Sequence, residues 1–159
     1  MPDFKDLKSL EAYLKKAIVD SMEDVGKSAE YHVREQIEEK VYQNPTTPQD
    51  YERTRELKNS LVHTYPKVNN NEIITEIKHE TNLMGSYAPN QHMSVVYDTP
   101  FIESLAEIVN YGKAGHIFGT GYWTEPRPYI NDAKKDLEDG LVKGYLKNAL
   151  NKQGFKTEG

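Results

Sequence analysis

The sequence predicts an α+β domain with a long N-terminal helix, a small antiparallel β-sheet and a C-terminal helix packed on the sheet. Three observations carry this. Apolar residues recur at three-and-four spacing from Phe4 to Val41, they alternate with polar ones between Leu61 and His79, and they return at four-residue steps from Ala133 to Ala149. A chain of 159 residues is the size of one domain, 1–159, with one core. It divides into a helical region 1–43, a sheet region 44–130, a helix 131–152 and a flexible tail 153–159.

The first helix is marked by Leu7, Leu10, Leu14, Ala17, Ile18, Val25, Ala29, Val33, Ile37 and Val41. It is one helix, or two with a break near Met22 to Gly26. Asp3 is placed to cap it, and Asn44-Pro45 with Pro48 stops it, because proline lacks a donor and biases the residue before it away from helix. Unbroken, it is ~55 to 60 Å long, more than a domain of this size covers. Part of its stripe, at Leu14, Ile18 and Val25, is therefore expected to meet another chain.

After a short helical turn that faces Leu57 and Leu61 inward, the period becomes two. Leu61 to Val68 and Glu72 to His79 read as strands joined at Asn69-Asn70-Asn71, since asparagine tolerates left-handed turn positions. Met93 to Tyr97 is a third strand candidate. Phe101 to Tyr111 reads as a short helix ending at Gly112, with Ile102, Leu105, Ile108 and Val109 inward. Between Gly112 and Pro128, four glycines interleave with Phe118, Tyr122 and Trp123. Long loops in compact domains are usually functional, and large aromatic anchors dominate interfaces, so these three are expected to be contact residues. In the last helix Gly140 and Gly144 break the propensity rule, which implies a bend or a close neighbour.

Composition excludes several classes. Only 36% of residues are hydrophobic and 28% are charged, and no apolar run approaches the ~20 residues of a membrane crossing. The first residues lack the basic-then-apolar pattern of a secretory leader. With no cysteine, disulfide frameworks, thiolate zinc sites and thiol catalysis all drop out. The net charge of −5 is spread along the chain, so no basic stripe grips phosphates. Tyrosine supplies 11 residues against 4 Phe and 1 Trp, a ring with a polar tip that suits surfaces half dry and half wet.

Motifs for chemistry fail on inspection. His32, His63, His79, His92 and His116 include no pair at ligand spacing. Gly112-Lys113 is followed by Ala114 where a phosphate loop needs a hydroxyl, and Gly85-Ser86 lacks a nucleophile elbow. No catalytic residue, cofactor or metal is therefore expected.

Three clusters carry a family resemblance. Tyr51-x-Arg53-Thr54-x-x-Leu57-x-x-Ser60 resembles the Tyr-x-Arg-Thr-Gly-x-Leu-x-x-Ser segment of the tail-completion, or head-to-tail joining, proteins of long-tailed double-stranded DNA phages. These proteins are also known as minor capsid or tail-component proteins. Arg55 stands where that glycine is usual. Leu105-Ala106-Glu107-Ile108-Val109-Asn110-Tyr111-Gly112 is similar to the family's Tyr-Ala-x-x-Val-Glu-Tyr-Gly, with Leu105 for tyrosine and Asn110 for glutamate. Arg127-Pro128-Tyr129-Ile130-x-x-Ala133 is similar to its Arg-Pro-Phe-x-x-Pro-Ala, with Asp132 for the second proline.

Structural roles follow from residue type. Arg53, with Tyr51, has the donors to pin its turn to the sheet, and Thr54 can cap the turn that follows. Arg127-Pro128 ends strand pairing and directs Tyr129 inward. The resemblance implies a structural virion protein, made in the host bacterial cytoplasm and located at the head-tail junction. It forms a homo-oligomeric ring, expected to be hexameric, between a head-completion or connector protein and a tail terminator or tail-tube protein. DNA passes nearby without specific binding, which net acidity suits, and no membrane is involved. Closing such a ring takes two different patches per subunit. Two alternatives remain: another tail-tube or tail-terminator type module, and a small metal-dependent hydrolase built from His79, His92, His116 and Glu103.

Overall fold

A computed structural model describes residues 4–43, 55–70, 72–84, 100–112 and 126–157. The fold is mixed α+β and mostly helical. In order come α1 (Leu7–Ile37), running on through a wider π turn at Glu38–Tyr42, then α2 (Glu56–Asn59) and four strands, β1 (Leu61–His63), β2 (Lys67–Asn69), β3 (Glu72–Ile74) and β4 (Ile77–His79). A 3-10 turn (Thr81–Met84), α3 (Pro100–Tyr111), α4 (Tyr129–Asp136), a second π turn (Leu137–Leu141) and α5 (Val142–Lys152) complete it. The third strand candidate at 93–97 lies outside the described residues.

α1 is a single helix, with no break at 22–26. Its start is set by Asp6 rather than by Asp3, which lies outside the described residues. The Asp6 carboxylate accepts the Ser9 N–H at 2.7 Å, and the Ser9 hydroxyl oxygen accepts the Asp6 N–H at 3.3 Å. That reciprocal pair satisfies donors a helix start leaves open. The N–H of Ser9 also holds the Asp6 carboxyl below its ordinary range.

The buried side of α1 is a row at every fourth residue: Ala17, Ser21, Val25, Ala29, Val33, Ile37 and Val41. Four residues turn a helix by about 400°, so each step carries the row about 40° further around. The helix thus presents different faces along its length. Contacts divide the chain into two compact units, one of Met1–Tyr31, His63–Ile77 and Asp136–Gly159, the other of His32–Val62 and Lys78–Lys135, and α1 contributes to both.

In the first unit, β2 and β3 form an antiparallel pair with Lys67 opposite Ile74, Val68 opposite Ile73 and Asn69 opposite Glu72. Asn70 takes the left-handed conformation at the turn, φ 52°. The two long strands expected at 61–68 and 72–79 are each split, and Pro66 is the reason, since it has no N–H for a ladder. The Thr64 N–H donates to the Glu76 carbonyl at 2.8 Å, which leaves Tyr65 and Pro66 facing Thr75 alone, a one-residue bulge. Threonine hydroxyls replace lost ladder bonds: Thr75 Oγ1 donates to the Thr64 carbonyl at 2.7 Å, and Thr64 Oγ1 accepts the Glu76 N–H at 3.0 Å.

The helix expected at 131–152 is interrupted at Gly140, whose φ of 128° no ordinary L-residue adopts. A Cβ added at Gly140 or Gly144 would meet nothing within 4 Å, so the glycines mark a bend rather than a close neighbour. Residues 153–157 are tied down where a frayed tail was expected. Gly154, at φ 88°, ends α5 while the Phe155 N–H returns to the Leu150 carbonyl at 3.1 Å. The Phe155 ring then lies 6.2 Å from that of Tyr13, which itself meets Phe4 at 5.1 Å. These contacts seat the C-terminal segment on α1.

In the second unit, Val33, Ile37, Val41, Leu57, Leu61, Met84, Val109, Tyr129 and Ala133 form the core. Gly112 closes α3 at φ 67°.

Candidate functional site

Two features are candidates for function: a chain of buried polar groups in the second unit and exposed apolar residues in the first.

The polar chain runs through His79, at the end of β4. Its Nδ1 is 2.8 Å from Ser60 Oγ and its Nε2 is 3.0 Å from the Tyr129 hydroxyl. The Ser60 hydroxyl donates to the Leu57 carbonyl at 2.9 Å, so its oxygen is left to accept Nδ1–H, and Tyr129 donates to Nε2. This network suits a neutral imidazole. Burial, helped by the positive charge of Arg34 and opposed by a hydrogen bond to the Leu57 backbone, pulls the His79 pKa down to about 4. Burial likewise pushes the Tyr129 phenol well above its ordinary range.

Neighbouring polar groups complete helix ends. Asn110 Oδ1 accepts the Ile130 N–H at 2.9 Å, filling a donor that the start of α4 leaves open. Arg34 Nη1 and Nη2 donate to the carbonyls of Lys58 and Leu61 at 2.9 and 2.5 Å, which clamps the segment from α2 to β1 onto α1. Arg127 is buried, with its N–H on the Val109 carbonyl at 3.0 Å and Nη1 at 3.4 Å from the Val41 carbonyl. Arg55 adopts a left-handed backbone, φ 61°, immediately before α2. Its guanidinium sits 5.7 Å from the centre of the Tyr42 ring, and 3.4 Å from Glu38. The Lys58 ammonium, 2.7 Å from Glu38, holds that carboxyl below its ordinary value.

In the first unit, His63 joins the start of the hairpin to α1. Its Nδ1 is 2.5 Å from Glu30 and its Nε2 is 3.4 Å from Glu23. Burial works against the imidazolium there, but the hydrogen bonds and charges of the two carboxylates outweigh it and raise the pKa. Gly26 lies beneath: a Cβ on it would stand 2.9 Å from Thr75 Oγ1 and 3.1 Å from the His63 ring.

The apolar surface of α1 lies beside its buried row. Leu7 is 84% exposed, Leu14 38% and Ile18 41%. Val25, expected on the same stripe, is 3% exposed and belongs to the core of its own unit, because the winding row has reached that side of the helix by residue 25.

A family model matches residues 6–156 and with them both the polar chain and the apolar stripe. The chain belongs to the YomN family. Membership points to a phage-encoded protein. No curated protein and no solved structure matches this YomN chain.

Several residues picked out from sequence converge in the YomN fold. Leu57, Ser60 and Tyr129 come together around His79, while Arg127 is buried against the Val109 and Val41 carbonyls and Pro128 leads into α4. Tyr111 stays at the surface, 3.5 Å from Asn131, and Gly112 ends α3. Tyr51, Arg53, Thr54, Phe118, Tyr122 and Trp123 lie outside the described residues, as do His92, His116 and the side chain of Glu103. Arg34 makes a clamp of its own on the segment from α2 to β1. Sequence gave slight notice of it, a long cation next to Val33 in an apolar row. The link through His79 was invisible until Ser60 and Glu80 pair across the strands, with the Glu80 N–H on the Ser60 carbonyl at 2.8 Å. Among the described residues no group of three His, Asp or Glu could hold a metal ion, and both ring nitrogens of His79 are already engaged.

Proposed function

We propose that this YomN-family chain is a structural protein of the phage neck, forming a homo-oligomeric ring that joins the DNA-filled head to the tail. The observation that carries the reading is the apolar stripe of α1. Leu7, Leu14 and Ile18 stay exposed on a helix whose neighbouring row is fully buried, and burying them against another subunit is worth about 25 cal/mol for each Å² removed from water. Three sequence clusters like those of tail-completion proteins support it. The polar chain supports a structural role rather than a catalytic one, since Ser60 is wholly buried and both ring nitrogens of His79 are held by neighbouring hydroxyls. The partners are copies of itself, a connector or head-completion protein and a tail terminator or tail-tube protein, with DNA passing unbound.

Deleting the gene from its phage, inducing lysis and viewing the particles by negative stain tests this. DNA-filled heads and separate finished tails that join when purified protein is added back are the expected result. Infectious virions assembled without the protein would overturn it.

A further inference from the structure

A ring of identical subunits needs a second patch for the α1 stripe to meet, and the first unit contains one at the bend of its C-terminal helices. Residues 139–144 are all exposed, and the π turn Leu137–Leu141 has no buried residue. Leu141 and Val142 sit there in water with Gly140 and Gly144 on either side. Nothing lies within 4 Å of where a Cβ would stand on either glycine, so another helix can come close to the backbone.

Charge gives the pairing a direction. Lys8 and Glu11 border the stripe three residues apart, and Asp139 and Lys143 bracket Leu141 and Val142 four residues apart. Laid side by side, the cation of one edge meets the anion of the other at both places. Lys8, Asp139 and Lys143 make no ion pair among the described residues, and Glu11 pairs only with Lys15 of its own helix, both well exposed.

We infer that the occupant of the α1 stripe is a second copy of this chain, with Leu7, Leu14 and Ile18 of one subunit on Leu141 and Val142 of the next. This inference rests on the ring reading, and it makes the contact heterologous, the kind that repeats from subunit to subunit.

The absence of cysteine makes it directly testable, because an introduced pair reports only its own contact. Full-length Leu14→Cys and Val142→Cys proteins, both altered at exposed positions, are mixed at high concentration, oxidised and run on non-reducing gels. The same pair is built together into one chain, and that chain is oxidised both in solution and in assembled particles. The mixed heterodimer should exceed either homodimer several-fold, and the double variant should give a ladder of covalent oligomers. Lys8→Glu should lower the yield, and Asp139→Lys added to it should restore it. A dominant Leu14→Cys homodimer would mean that the stripe meets itself about a two-fold. Capture by Val68→Cys, on the exposed hairpin, would move the partner there. Either result, or no cross-link in solution and in particles, overturns the inference. Unjoined heads and tails on deletion without this cross-link would leave the neck reading standing, whereas the cross-link in a dispensable protein would remove that reading alone.

Discussion

The Ser60–His79–Tyr129 chain is held by geometry that each member completes for the others. Tyr129→Phe keeps the ring and the packing but takes the donor from His79 Nε2, 3.0 Å away, and leaves a buried acceptor without a partner. Such a loss costs about 1 to 3 kcal/mol, read as a lowered urea midpoint with an unchanged slope. Ser60→Ala works on the other ring nitrogen, so the two changes together should cost measurably less or more than their sum, and strict additivity would show that the chain is not one network. Arg55 shows the same economy at the backbone. A left-handed residue with a side chain is strained by roughly 1 to 2 kcal/mol, which explains why glycine suits this place in the resembling phage proteins. Here the guanidinium contacts with Tyr42 and Glu38 offset part of that strain.

Among the elements, α1 carries the clearest contest between local preference and packing. Alanine is favoured over glycine inside a helix by about 1 kcal/mol, so Gly26→Ala ought to stabilise an isolated α1. In the folded chain the added methyl meets Thr75 and the His63 ring at 2.9 and 3.1 Å, and the hairpin must shift. Net destabilisation of about 1 to 2 kcal/mol is expected, with the loss visible as faster amide exchange in Thr64 to Glu76; a stabilised variant would show that the hairpin yields freely. This is also where sequence reading had its reach and its limit. Periodicity located α1, the hairpin, α3 and the last helices, because burial repeats at 3.6 or 2 residues. It missed the bulge at Tyr65-Pro66, which depends on hydrogen-bond supply rather than on hydrophobic pattern, whereas the bend at Gly140 is legible from the low helix propensity of its glycines. It set Ser60 and Tyr129 in separate motifs and offered His79 only as a ligand of the alternative hydrolase, because what brings Ser60 beside His79 is the pairing of two chain segments distant in sequence.

For the molecule as a whole, the two histidines pull stability in opposite directions with pH. His79, at about 4 when folded against 6.5 when unfolded, contributes stability that is complete above 6.5 and is lost as pH falls toward 4, a difference of roughly 3 kcal/mol. His63, raised above 6.5 by its carboxylates, contributes stability that is complete below 6.5 and is lost as pH rises through its folded value. Urea midpoints taken from about pH 5 to about pH 8 should therefore peak near 6.5, with His63→Gln flattening the alkaline limb alone. A midpoint that climbs steadily through pH 7 and beyond would contradict the raised value at His63. The winding row of α1 has a consequence for how such chains can vary. A residue inserted between Ala17 and Val41 rotates everything beyond it by about 100°, which tears the row from its seat. Ahead of Tyr13 no buried row fixes the count, so in the ring proposed above the length of those first turns would set how far the helix reaches toward the next subunit.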